Sequence, residues 1–508
     1  MSDDKTLTQY DHLLKDDADV AAIVIRERLR PVQGARGVFF PPTFAATGRG
    51  KSDYQIDWFS PRDEDRKAPE VAAKEGVIAN RCTVDSVPSQ ANRLEARLLK
   101  YSGKSIPKVT ITGSRVGQAS IDLLEVGHRV GDAVVRYSKT TDEETVRNAE
   151  GKEEKRPVGS DGFEKFEAAL QAYVKGDAAP LAKLAPTSLV FGHWDSRDSA
   201  TKKSTKSKAR RLIRSEIVAY NVQRVTKRSQ YWSSIDPEVS QELEQILKEA
   251  KEAAQEDPNT KNPASQLGMT DVPAPESPGG VIAFGPIERT AIVALSGVRT
   301  LATFREPNQL RATEIDTDKT LALRRYLFAL ALASAADPGV WDLREGCILV
   351  REGKTENGKV VGDPSAFTAV KVKHSGEEED FTVPTKTEPS EFLDKAAAAF
   401  FGEKDSNGTT APAVPAPLVL AFDPGGARAA VSTKSGANAG EPKKKVDFVK
   451  ALVAVPAYEG KEAELNKKKI GELKKLWEEV QNASGAAGAP ETPAATDESP
   501  TGDDEAGT

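Results

Sequence analysis

The chain has 508 residues, a formal net charge of −6, 38% hydrophobic and 29% charged residues, enough apolar content to bury a core. Two cysteines, Cys82 and Cys347, rule out a disulfide scaffold or Cys-rich zinc module, and four histidines (His12, His128, His193, His374) argue against a His-rich metal site. The most apolar stretch, residues 327–336, is too short to span a bilayer, and the acidic start MSDDKTLTQYDHLLKDD lacks the order of a secretory signal. A soluble, cytoplasmic protein with no membrane contact is expected.

In chain order, residues 20–29 alternate weakly and suggest a first strand. Residues 88–101 (PSQANRLEARLLKY) suggest a helix: Asp85 or Ser86 caps it, Pro88 suits its first turn, and Ala91, Leu94 and Leu98 form an apolar stripe. Residues 106–112 and 188–191 are rich in strand formers. A charged helix is expected over 238–255, with Val239, Leu243, Ile246 and Leu247 as its narrow apolar stripe. Two strands over 281–284 and 289–295 are broken by Gly285-Pro286. Residues 320–336 form an apolar core helix, and residues 461–480 a charged one. Between these lie stretches whose composition cannot bury enough apolar area to offset chain entropy: residues 138–160, 257–280, 401–445 and the tail after Asn482. These are expected as loops or disorder within an α+β fold.

The charge is unevenly spread. Residues 481–508 carry six acids and no Lys or Arg, which leaves residues 1–480 neutral; residues 197–228 hold eleven Lys/Arg against two acids, a local +9. Within that segment Lys206, Lys208 and Arg210 are spaced i, i+2, i+4, so in an extended chain they point the same way about 7 Å apart. That is the pattern of a cationic groove tracking a nucleic-acid backbone, with nearby Ser and Thr hydroxyls as further phosphate donors. A solvated basic loop is the plainer alternative. Upstream, Phe191-Gly192-His193-Trp194-Asp195-Ser196-Arg197 offers a base, a carboxylate and a hydroxyl, but adjacent strand residues face opposite ways, so a catalytic set is not expected. Trp194 is expected in the core, Asp195 and Ser196 at a turn, and Arg197 toward a ligand. At the start of the expected helix, Ser86, Ser89, Gln90 and Arg93 could help hold a phosphate at its N-terminus, with a simple cap and a polar outer face as the plainer alternative. Gly34-Ala35-Arg36-Gly37 and Gly48-Arg49-Gly50-Lys51 lack the Walker spacing, and FFPPTF at 39–44 is a rigid turn.

Six blocks in one order, FPPTF, VDSVPSQANRLEARLL, SLVFGHWDSR, ARRLIRSEIVAYNV, LRRYLFALAL and LREGCILV, resemble the backbone subunit of the type I-G (formerly I-U) CRISPR surveillance complex, Cascade, in the RAMP superfamily. The resemblance runs from about Pro31 to Val350, and DSVPSQANRLE and VFGHWDSR are its specific parts. It implies an RRM-like (ferredoxin-like) palm with finger and thumb insertions, in one domain over 1–480 with insertions near 138–160, 236–280 and 401–445, followed by a disordered acidic tail over 481–508. It further implies a non-catalytic protein without cofactor or metal, which binds guide RNA (crRNA), assembles with copies of itself and other subunits of the complex, and meets target DNA through the guide in antiviral defence. The RNA-binding residues it points to are Ser86, Ser89, Gln90, Asn92, Arg93, Arg197, Lys206, Lys208, Arg210, Arg211 and Arg214. A thumb is expected over 231–284, where Leu267 or Met269 could wedge at a guide base; a plain surface insertion is the alternative. The competing enzyme reading is a RAMP-type metal-dependent endoribonuclease acting on guide precursor or target RNA, for which Asp85, His193 and Asp195 are the residues to suspect. A nonspecific single-strand DNA binder is a third.

Overall fold

The computed structural model describes residues 5–45, 52–60, 62–115, 118–140, 143–147, 153–157, 162–195, 206–227, 230–231, 240–256, 267–269, 272–273, 277–305, 314–336, 341–357, 359–383, 388–402, 414–427, 430–431, 445–453, 458 and 461–485. Two compact units emerge, residues 1–426 and 427–508, where the sequence suggested one domain over 1–480. The fold is a mixture of sheets and helices, in keeping with the α+β expectation.

The first unit is organised by a nine-stranded sheet. Its central strand, β1 (Val20–Pro31), turns Ile23, Ile25, Glu27 and Leu29 inward and Arg26 and Arg28 outward, the two-residue period of a half-buried strand. The strand β2 (Asn80–Asp85) leads into helix α1 (Val87–Ala96), which Ser86 caps by accepting from the Ser89 amide, with Pro88 in the first turn and Ala91 and Leu94 buried. Strands β3 (Ile213–Tyr220) and β4 (Ile287–Ala294) follow, then helix α2 (Thr317–Ala335), capped by Asp316 and buried along most of its length. The short strands β5 (Trp341–Arg344) and β6 (Cys347–Arg351) close the series. In space the order is β5-β6-β1-β4-β3-β2, ending in the short strand Ile56–Trp58, with every pairing antiparallel. Phe367–Lys373 also pairs with β1.

A polar seam crosses the buried side of this sheet. Arg289 and Glu27, both fully buried, pair at 2.7 Å, and Arg351 joins Glu27 at 2.6 Å. Arg289 Nε donates to Ser215 Oγ at 3.1 Å, Ser215 donates to Gln90 at 2.9 Å, and Gln90 donates to Asp85 at 2.6 Å. Arg93, at 3.1 Å, and Arg344, at 3.5 Å, complete the charge balance of Asp85. Each member finds a partner in the seam, as burial of charge demands.

Several local expectations change. Residues 188–191 are not a strand: Thr187–Val190 is a short, fully buried helix, because its apolar run is enclosed on every side. Ser138–Thr140 and Leu418–Phe422, inside stretches read as loops, are strands of a four-stranded sheet with Val109–Arg115 and Gln118–Asp122. Leu420 is fully buried there, which the surrounding Gly, Ala and Pro concealed. The insertion expected near 236–280 begins earlier. β3 continues past Asn221 (φ 48°) into Val222–Lys227, which pairs antiparallel with Ser277–Ala283 before the chain returns through Gly285 to β4. The two strands form an arm leaving the sheet. Gly285 is required at its root, since a Cβ there would lie 2.8 Å from the Tyr220 carbonyl oxygen. The helix beyond the arm spans Gln241–Glu256; Val239 lies outside the described residues.

In the second unit, Lys445–Val453, Glu462–Leu465 and Ile470–Gly485 are helical, so the single helix expected over 461–480 is two. Phe448, Val449, Leu452, Leu465 and Leu473 form its core. The acidic residues beyond Gly485 lie outside the described residues. Among the described residues no helix is long and apolar enough to cross a membrane.

Candidate nucleic-acid interface

Within the basic segment, Lys208–Ala209 forms one side of a short two-stranded ribbon. His193–Trp194 pairs antiparallel with Lys208–Ala209, His193 opposite Ala209 and Trp194 opposite Lys208. Gly192, at φ +79°, makes the turn into it; a Cβ there would approach Arg211 Cγ to 2.8 Å and the Ala209 carbonyl oxygen to 3.0 Å, so glycine is needed on both counts. His193 is buried and held at both ring nitrogens, by the Ser188 carbonyl at 3.3 Å and the Ser207 hydroxyl at 2.8 Å. Burial pushes its pKa down to about 4, so it is neutral near pH 7. On the far side of Trp194, the Asp195 amide donates to the Ser207 carbonyl at 2.8 Å, and the buried Asp195 carboxylate pairs with Arg136. Trp194 itself is 72% exposed. It was expected in the core and Asp195 at a turn; the alternation along the ribbon reverses the two.

Along the other strand, Ser207 and Ala209 are buried while Lys206, Lys208 and Arg210 are exposed. Lys208 and Arg210 keep the spacing read from the sequence; Lys206, at φ 54°, sits where the backbone turns before the regular pairing. Among the described residues neither Lys208 nor Arg210 has a carboxylate partner. Arg211 is exposed and donates to the Phe191 carbonyl at 3.0 Å. Partial burial and then the neighbouring Arg214 lower its pKa, so the cations crowd one another. Arg214 projects from β3 beside Glu216, 3.2 Å away. Arg197 lies outside the described residues.

The helix residues divide. Asn92 is exposed. Ser86 and Ser89 are half-buried, and Ser86 is occupied as the cap. Gln90 is fully buried, with its amide nitrogen on Asp85 and its amide oxygen on Ser215, and therefore offers nothing to a ligand at the surface; its side chain serves the core seam instead. Arg93 is half-buried between Asp85 and the Leu343 carbonyl, 2.6 Å away, so its guanidinium is already bridging α1 to β5.

Asn92 and Pro88 meet the ribbon across a cleft of about 640 Å³, whose remaining wall is Gly127, His128, Arg129, Gly131 and Arg136. Lys208, Arg210, Arg211 and Trp194 line its ribbon side. Arg129, in the left-handed region at φ 52°, closes the floor: it pairs with buried Glu95 at 2.8 Å and donates to the Gly192 carbonyl at 3.3 Å. Burial outweighs the attraction within this pair, raising Glu95 to about 7 and lowering Arg129. Sequence reading missed Arg129 and Arg136, since nothing in GHRVGDAVVR marks these two as inward-facing. The cleft can receive an anionic, partly apolar ligand.

The residues suspected for nuclease chemistry do not form an open site. Asp85 is buried under Arg93 and Arg344, Asp195 under Arg136, and His193 between Ser188 and Ser207. Among the described residues no group of three His, Cys, Asp or Glu is placed to hold a metal ion. Of the residues expected to wedge a base, Leu267 is 71% exposed and Met269 half-buried. Gly48-Arg49-Gly50-Lys51 lies outside the described residues.

Residues 23–224 match the family model described as CRISPR-associated protein GSU0053. The match covers β1, β2, α1, the ribbon and β3, fewer than half of the 508 residues. It supports a CRISPR-associated protein with a role in CRISPR defence. A search of curated proteins returns no match.

Proposed function

We propose that this CRISPR-associated chain is a non-catalytic guide-RNA-binding backbone subunit of a type I-G surveillance complex, several copies of which assemble along one guide. The observation that carries the reading is the ribbon: Lys208, Arg210 and Arg211, exposed at the mouth of one cleft with Asn92 across from them. Sequence in such a complex is read by base pairing, so the protein has to grip backbone and order the guide, and an exposed cationic strand suits that task.

The chain path supports the same reading. The succession β1-α1-β3-β4-α2-β6, with β2 entering before α1 and β5 before β6, and the spatial order β6-β1-β4-β3 favour a split βαβ, ferredoxin-like unit of the kind an RRM-like RAMP palm would require. The arm of Val222–Lys227 and Ser277–Ala283, with the helix Gln241–Glu256 beyond it, is our candidate for the thumb. Target DNA would then be met through the guide.

The test is co-expression of the full chain with a CRISPR array, purification through the chain, and sizing of the nucleic acid that accompanies it. One discrete RNA of guide length carrying several protein copies is expected. Heterogeneous nucleic acid, or none, overturns the reading. Cleavage of precursor or target RNA by the purified chain with a divalent cation, abolished in Asp195→Asn, favours the endoribonuclease instead.

A further inference from the structure

Trp194 is the most exposed large hydrophobic residue among those described, at 72%. An indole left in water forgoes one of the largest burial gains open to a side chain, so its setting calls for a physical reason. Its neighbours supply one. His193 and Asp195, before and after it, are both buried and anchored, by Ser188 and Ser207 on one side and by Arg136 and the Ser207 carbonyl on the other. With both flanking side chains pinned inward, strand alternation turns the indole outward. Its cross-strand partner is Lys208, so the ring and the ammonium project from the same face of the ribbon, with Cβ atoms about 5 Å apart. Arg210, two residues on and just past that strand, is exposed as well.

We propose that Trp194 is a stacking platform for one unpaired RNA base, with Lys208 and Arg210 holding the phosphates that flank it. The proposal rests on the guide-RNA reading and adds to it the residue that holds a base. A flat indole on an anchored backbone accepts any base by its π-face, whereas the two cations accept any backbone, so the contact orders a single strand without reading its sequence. The pinned neighbours matter because the backbone that carries the platform need not be ordered on binding.

The experiment measures binding of an unstructured, mixed-sequence single-stranded RNA to the full chain and to three variants, Trp194→Ala, Trp194→Phe and the pair Arg210→Glu with Arg211→Glu, across a salt series. Trp194→Ala should weaken binding at least about fivefold with an unchanged salt dependence, since stacking releases no counterions. Trp194→Phe should recover most of the affinity, and RNA should quench tryptophan emission in the parent more than in Trp194→Phe. The double charge reversal should weaken binding and flatten the salt dependence. Parental affinity in Trp194→Ala, with weakened binding in the charge reversal, overturns the platform and leaves RNA binding in place. Parental affinity in all three variants removes the RNA contact at this ribbon and the platform with it. Should Trp194→Ala prove misfolded by circular dichroism, equal quenching in the parent and Trp194→Phe overturns the platform independently.

Discussion

At the scale of single residues, the ribbon depends on side chains turned away from the ligand side. His193 looks like a base in the sequence, yet with its pKa held near 4 by burial it is a neutral hydrogen-bonding post between Ser188 and Ser207. An exposed imidazole titrates near 6.5, so between pH 6.5 and 4 the unfolded chain takes up a proton that the folded chain refuses, and folding stability falls as pH drops through that window. Glu95, raised to about 7, works in the opposite sense over the range above 4.5, so the two partly cancel in the whole protein. Comparison with His193→Asn isolates the imidazole: the stability advantage of the parent over the variant should shrink by up to about 3 kcal/mol from pH 6.5 to pH 4 in urea unfolding. A gap independent of pH would mean the ring is solvated in the folded state.

At the scale of elements, strands and helices with strong internal pattern were legible and those defined by their neighbours were not. β1, α1 and α2 carry alternation, a cap or a long apolar run; β1 and α2 form close to where expected, and α1 ends at Ala96, the expected helix finishing as a 3-10 turn over Arg97–Tyr101. Thr187–Val190 has strand-forming residues but becomes a helix, because a four-residue apolar run has no period of its own and takes the conformation that its enclosure permits. The strand Leu418–Phe422 was hidden in a Gly-, Ala- and Pro-rich stretch; it earns its place by pairing with Val109–Arg115 on one side and Ser138–Thr140 on the other. Leu420→Ala should therefore destabilise the protein by about 2–5 kcal/mol in urea unfolding, as a large-to-small change in a closed core does. A loss below about 1 kcal/mol would be the cost of an exposed loop position instead.

At the scale of the whole molecule, the seam from Arg351 through Glu27, Arg289, Ser215 and Gln90 to Asp85 ties β6, β1, β4, β3, α1 and β2 together beneath the helices. Removing one charge from its centre should be costly, because Arg289 has no water to turn to. Glu27→Gln should lower stability by about 3–5 kcal/mol, and a Glu27→Met, Arg289→Met double variant should lose less than the single one, since the stranded charge is gone. Equal losses in the two variants would show that packing, and not the charge pair, sets the cost. The seam also explains why Gln90 and Arg93, which look from the helix start like phosphate ligands, are spent on the core.

The sequence by itself determined β1, α1, α2 and the two strands broken at Gly285-Pro286, the mixed α and β class, the basic segment and the exposed spacing of Lys208 and Arg210, because these follow from local period, capping and charge. Only the tertiary structure decided which polar residues face the ligand side. Whether Trp194, Asp195, Gln90 or Arg129 points inward depends on which distant segment lies against it, Arg136 for Asp195 and Ser215 for Gln90, and that pairing is a property of the folded chain and not of any window of sequence.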